Sequence, residues 1–239
     1  LAHQRLRKGE AVGTLLNVAT VLIGGAVGLL LGARLPERVR QTVVAGLGLF
    51  TLAYGLQMFL KTQNALVVLG SLLIGALLGE WWRIEDRLAG LGRWLEQRFS
   101  SQKGAQNRFV RGFLTASLVF CVGPMTILGA VQDGLTGDFS TLAVKAVLDG
   151  FAALAFASSL GVGVLFSVLV IIVYQGALTL LAAQVQAWVS PAMMTEMSAV
   201  GGVILLAIAI SSLLELKAIR AANFLPALVI APLLAAWVL

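Results

Sequence analysis

The stretch Ser117-Leu-Val-Phe-Cys-Val-Gly-Pro-Met-Thr-Ile-Leu-Gly-Ala-Val-Gln-Asp-Gly-Leu-Thr-Gly-Asp138 decides how this chain is read. It is apolar enough for a membrane helix, yet Gly123-Pro124 removes a backbone donor and side-chain bulk from its middle. Carbonyls near residues 119 and 120 are expected to lose their helical partners. Lipid supplies no replacement, so irregular backbone at membrane depth must be covered by protein or must line a cavity. Gln132 and Asp133 follow the break, and Lys145, Asp149 and Gly150 lie on the next apolar run. Ionisable side chains beside a broken membrane helix mark a candidate solute or ion site.

Working outward, the 239 residues are 59% hydrophobic and only 12% charged, with 26 glycines. That excludes a soluble domain. The apolar runs are near-continuous and of helix-spanning length, which predicts an all-α polytopic membrane protein rather than a barrel. Eight spans are expected, at roughly 13–32, 43–60, 65–82, 110–134, 141–159, 161–185, 198–214 and 223–239. Of the 17 basic residues, twelve fall in one set of alternate loops and five in the other, Lys145 among the five. The positive-inside rule then places both termini outside the cytoplasm of a bacterial inner membrane. The net charge of +6 reflects those loops and does not call for nucleic acid. Cys121 is the single cysteine and His3, in an N-terminal tail expected to be disordered, the single histidine. No metal cluster, catalytic triad or phosphate loop is present in the pattern, so neither an enzyme nor a cofactor is expected.

Gly24, Gly28 and Gly32 recur at intervals of four on the first span, as do Ser71, Gly75 and Gly79 on the third. Small residues at that spacing let backbones approach closely. Gly24, Gly25, Gly28, Gly150, Gly201 and Gly202 are the expected packing or hinging positions. Asn17, with Thr14, is expected to bond a neighbouring helix or to line a pathway. Ile84, Leu88, Leu91, Leu95 and Phe99 form a stripe, with Glu85, Arg93 and Glu96 away from it, predicting an amphipathic helix on the cytoplasmic surface. Glu196 precedes the seventh span, where it would cap a helix or face an outer vestibule.

The polar linker 100–106 divides the chain. Gly25-Ala-Val27 matches Gly129-Ala-Val131, Gly46 matches Gly150, and Leu52-Ala53 matches Phe156-Ala157 at one equal offset. Three spans repeated after an odd number would be inverted across the bilayer. The expected units are therefore 1–82, a first three-helix repeat; 83–109, the amphipathic helix and linker; 110–188, the second repeat with the broken helix; and 189–239, a C-terminal helix pair.

Phe120 to Gly134, with Lys145 through Gly150 behind it, resembles the bacterial YqgA/YdfK-like membrane proteins, domain of unknown function 554. Gly13-Thr-Leu-Leu-Asn17, Tyr174-Gln175-Gly176, Glu196 to Gly202 and Asn223-Phe-Leu-Pro226 extend the resemblance over nearly the whole chain. It implies a multi-span inner-membrane protein, often labelled a transporter, without a substrate to carry over.

The residues themselves point first to a secondary transporter or permease for a small polar solute or ion. Gly123, Pro124 and Thr126 would offer freed backbone and a hydroxyl. Gln132, Asp133, Lys145 and Asp149 would supply polar ligands or a proton acceptor, joined by Asn17 and Gln175. The bland counterparts are an internal Lys145–Asp149 ion pair at i,i+4 spacing and capping of the outer turn by Asp133 and Asp138. An oligomeric channel with glycine-hinged helices and an accessory subunit of a larger complex are the alternatives. The expected partners are the lipid bilayer, a small solute or ion, and further copies of the chain.

Overall fold

The computed structural model describes residues 12–34, 36–99, 106–184 and 190–238. The tail bearing His3 and the linker residues 100–105 lie outside the described residues. Because lipid offers no hydrogen-bond partners, each apolar run satisfies its backbone internally as a helix. These are α1 (Val12–Gly32), α2 (Glu37–Phe59), α3 (Ala65–Trp82), α4 (Ile84–Phe99), α5 (Gln106–Val122), α6 (Pro124–Thr136), α7 (Ser140–Leu160), α8 (Ser167–Leu180), α9 (Pro191–Ile208) and α10 (Ala227–Val238). Among the described residues seven segments are long and apolar enough to cross a membrane, and α5 with α6 makes an eighth when taken as one bent span. Ile23, Leu30, Leu66, Leu77, Val173 and Leu180 are exposed on the outside. They form the surface that faces lipid.

The break stands where Gly123-Pro124 puts it. α5 and α6 meet at 61°, with Gly123 extended and Pro124 opening α6, where its missing N–H costs nothing. Thr126, fully buried, turns its hydroxyl back to the Phe120 carbonyl at 3.1 Å. One of the carbonyls expected to be freed is thus satisfied inside the break itself.

The helix ends sort onto two sides. On one, the Gly13 N–H meets Asp133, and the α2–α3 turn meets Glu196 near the start of α9. On the other, Arg108 reaches Ser159, Arg111 reaches Ser212, and the start of α4 meets Asn223. The second side carries the arginine-rich loops. Each of the first three helices packs chiefly on a later one: α1 on α7, α2 on α9 and α3 on α10. Two large apolar clusters result, beside a small one of Leu95, Phe109 and Phe113 between α4 and α5. Val21, Phe120, Phe156, Val164 and Ile171 centre the first, and Val68, Val122, Val200, Ile204 and Ile208 the second. α5 supplies residues to both, so the broken span lies at their junction.

Several boundaries differ from the hydropathy reading. Ser190 accepts from the Met193 N–H at 3.2 Å, and with Pro191 in the first turn it starts α9 well before residue 198. Glu196 therefore lies inside the helix, fully buried. It caps not its own helix but the approach to α3, accepting from the Thr62 hydroxyl at 2.5 Å and from the Gln63 and Asn64 N–H groups at 2.7 and 3.2 Å. Lys145, counted with the outer loops, is buried within α7. In α4, Leu91 is exposed while Glu85 and Glu96 turn inward. Glu85 accepts from the Ala222 N–H at 2.8 Å, a polar tether to the α10 approach that joins Ile84, Leu88 and Leu95, which pack inward as the stripe predicts.

Candidate functional site

The site grows from α7. Its backbone closes on α1 along a seam of small residues: a Cβ on Gly24, Gly28 or Gly32 would overlap the carbonyl oxygen of Gly150, Leu154 or Ser158 respectively. Gly25 faces Leu165, and Gly202 and Gly55 make a similar close approach between α9 and α2. Gly201 lies against the Val122 carbonyl at the helix break. The face of α7 turned toward α2 is different. Lys145 and Asp149 pair there, one helical turn apart, both more than nine-tenths buried.

That pair lines a cavity of about 410 Å³ together with Gly123 and Met125 of the broken span. Thr51 and Tyr54 of α2, Phe151 and Phe156 of α7 and Leu205 of α9 complete most of its wall. Phe50 and Tyr54 stack with ring centroids 6.3 Å apart and, with Phe151, lie exposed at the rim. The cavity therefore opens sideways between α2 and α7. Its walls are largely apolar, and the ion pair is the concentrated charge within them.

Behind the pair a second polar group runs across α1 to α8. The Asn17 side chain reaches the Asp149 carboxylate and donates to Gln175 Oε1 at 3.0 Å, and Gln175 Nε2 donates to Thr14 at 3.1 Å. Asn17 and Gln175 are fully buried, and Asn17 Oδ1 lacks a hydrogen-bond partner among the described residues. Helix cross-linking and contact with Asp149 thus coexist in one amide.

The remaining candidates lie elsewhere. Thr126 braces the break. Asp133, buried, accepts from the Gly13 N–H at 3.0 Å, capping the start of α1. Gln132 bridges Asp138 at 2.7 Å and the Thr141 hydroxyl at 2.8 Å in the α6–α7 turn. Asp138 also accepts from the Ser140 N–H at 2.9 Å, which holds its carboxyl below the usual range. Neither Gln132 nor Asp133 lines the cavity. The aromatic rim on α2 went unread in the sequence, because Phe50 and Tyr54 look like ordinary lipid-facing residues until α7 is placed opposite. Among the described residues there is no group of three or more histidine, cysteine or acidic side chains able to hold a metal.

The chain is similar to known proteins over nearly its whole length. The chain is 36% identical over 229 residues to the uncharacterized protein YqgA of Escherichia coli (strain K12), covering 95% of this chain and 97% of that protein. It is 27% identical over 224 residues to the uncharacterized membrane protein YdfK of Bacillus subtilis (strain 168), covering 92% and 93% respectively. No solved structure matches. The family model described as "Protein of unknown function (DUF554)" matches residues 12–236, and the chain belongs to that family.

Proposed function

We propose that this protein is a secondary transporter or permease for a small solute, with its site at the broken fourth span. One observation carries the reading: the helix break at Gly123 and the buried Lys145–Asp149 pair meet in a single cavity. A buried ion pair in a membrane interior is costly to keep and stabilises a fold poorly compared with apolar packing. Its placement in a cavity wall favours a functional role. A solute that displaces one partner exposes the other charge, which couples occupancy to a change in local field. The mostly apolar walls support a small organic solute carrying one charged or zwitterionic group. Asn17 and Gln175 would hold Asp149 in place from behind. The equal-offset matches support an inverted repeat whose helices interleave, and the lateral opening is compatible with assembly of several copies around the bilayer midplane.

Flux into proteoliposomes tests this. Amino acids, small carboxylates and monovalent ions would be offered to the parent, Asp149→Asn and Lys145→Gln, with Glu80→Gln as a surface control. Saturable, gradient-driven uptake by the parent and control, lost in both cavity variants with folding retained, is the expected result. Ohmic currents without saturation would replace the transporter by a channel. Parental uptake in the cavity variants would remove the site.

A further inference from the structure

On the arginine-rich side, away from the α2–α7 cavity, two adjoining cavities of about 510 and 310 Å³ share Arg40, Arg108 and Leu160 in their walls. Arg111 lines the larger one. These guanidinium groups come from the first turn of α2 and the first two turns of α5 and are half-buried. They stand close to one another despite like charge, and Glu215, largely exposed, is the carboxylate lining these cavities among the described residues.

Two of the three are held by backbone. Arg108 donates from Nε at 3.0 Å and from Nη2 at 2.7 Å to the Ser159 carbonyl, at the end of α7. Arg111 donates from Nε to the Ser212 carbonyl at 2.5 Å and pairs with Glu215. A guanidinium has five N–H donors. Arg108, fixed through its Nε–Nη2 edge, keeps its Nη1 donors for a second acceptor, whereas Arg111 already engages Ser212 and Glu215 through separate edges; planar forks of this kind match phosphate oxygens. Around the arginines the walls turn apolar, with Leu29 and Val162 beside one cavity and Val44 and Leu214 beside the other. Val162 is exposed at the turn that follows α7.

We propose that Arg40, Arg108 and Arg111 form a binding site for the phosphate headgroup of an anionic phospholipid, whose acyl chains run along the adjacent apolar walls. Basic pockets between membrane helices recognise such headgroups. A soluble phosphate shares the headgroup chemistry but gains nothing from the apolar walls. The bound lipid would tie the start of α2 to α5 and the end of α7.

The test uses the purified full chain in neutral detergent. Retention of phosphatidylglycerol and of phosphatidylcholine is measured by native mass spectrometry, beside the thermal midpoint with each lipid and with inorganic phosphate alone. The parent is expected to prefer phosphatidylglycerol at least tenfold. Arg40→Gln and Arg111→Gln should each lower that preference by about fivefold, the weight of one basic residue at a membrane surface. Arg40→Lys, which keeps the charge and loses the fork, should fall between. Arg108→Gln is the variant most exposed to misfolding, so the selectivity ratio in the other variants decides. Equal retention of the two lipids overturns the proposal, as does unchanged selectivity in both glutamine variants. Equal stabilisation by inorganic phosphate and by phosphatidylglycerol assigns the site to a free anion and overturns the lipid assignment.

Discussion

Helix α7 presents two faces that solve the same membrane problem in opposite ways. Toward α1 it is closed: Gly24, Gly28 and Gly32 bring that backbone against the carbonyls of Gly150, Leu154 and Ser158. Toward α2 it is open, and the space holds a buried Lys145–Asp149 pair under an aromatic rim. Helices in lipid gain association from close van der Waals packing, since lipid is as apolar as the side chains it would replace. Small residues produce the first face. The second exists because charged side chains demand partners and the bend at Gly123 leaves room around them.

The largest effect that would break this contrast lies on the closed face. Gly24→Leu places a side chain where the Gly150 carbonyl already sits. It should abolish recovery of folded protein, read as loss of the monodisperse peak in size-exclusion chromatography. Next is the open face. Lys145→Met leaves Asp149 buried and unpaired, at a cost of about 3–5 kcal/mol. Adding Asp149→Leu should restore thermal stability to near the parental value while solute uptake stays lost. If the double variant still transports, the pair is only a structural feature.

The contrast recurs between two buried acids. Glu196 receives three hydrogen bonds at the approach to α3, and Glu196→Gln should cost about 2 kcal/mol by weakening charge-assisted bonds. Unfolding midpoints in detergent measure this. Glu96, 5% exposed, has one carboxylate oxygen without a partner among the described residues, and burial pushes its carboxyl above the usual range. The sign follows from proton binding. Below the ordinary glutamate pKa both folded and unfolded chains are protonated and burial exacts no charge penalty. As pH rises toward the raised folded value, the unfolded chain loses its proton first, and this group's contribution falls. Glu96→Gln should therefore unfold at a higher temperature than the parent near pH 7 and converge with it near pH 4. A gap that widened on acidification would contradict the assignment.

The smallest effect sharpens the glycine argument. Nothing lies within 4 Å of a Cβ on Gly46, so Gly46→Ala should stabilise α2 by about 0.5–1 kcal/mol, measured as a small rise in the unfolding midpoint. A loss of stability there would mean that α2 has a packing partner on that face, and assembly of several copies is the first place to look.

Much of the site was legible before any coordinates. Lys145 and Asp149 are one helical turn apart, a relation contained within a single helix. Gly123-Pro124 announces its own break, and the glycine spacing announces a close approach. Asp133 was legible as a candidate ligand or a cap of the outer turn, and Glu196 as a cap or a vestibule acid, but not the helices they cap, because those begin 120 or more residues away in the chain. The inward turn of Glu96 was not legible at all, since it sits at the margin of a stripe whose Ile84, Leu88 and Leu95 pack inward, and helical spacing assigns a carboxylate at that margin to the surface.

What the sequence determined by itself is local: helical membrane spans, their order and alternation, the broken fourth span, the i,i+4 charge pair and the small-residue faces. Hydropathy and helical periodicity act over a few turns, and lipid permits a long apolar run little besides a helix. What the tertiary structure decided is which surfaces meet. It set α1 against α7, left a gap between α7 and α2, and gathered Arg40 with Arg108 and Arg111. Those pairings depend on complementary shape and charge between segments far apart in the chain, and no local pattern encodes its distant partner.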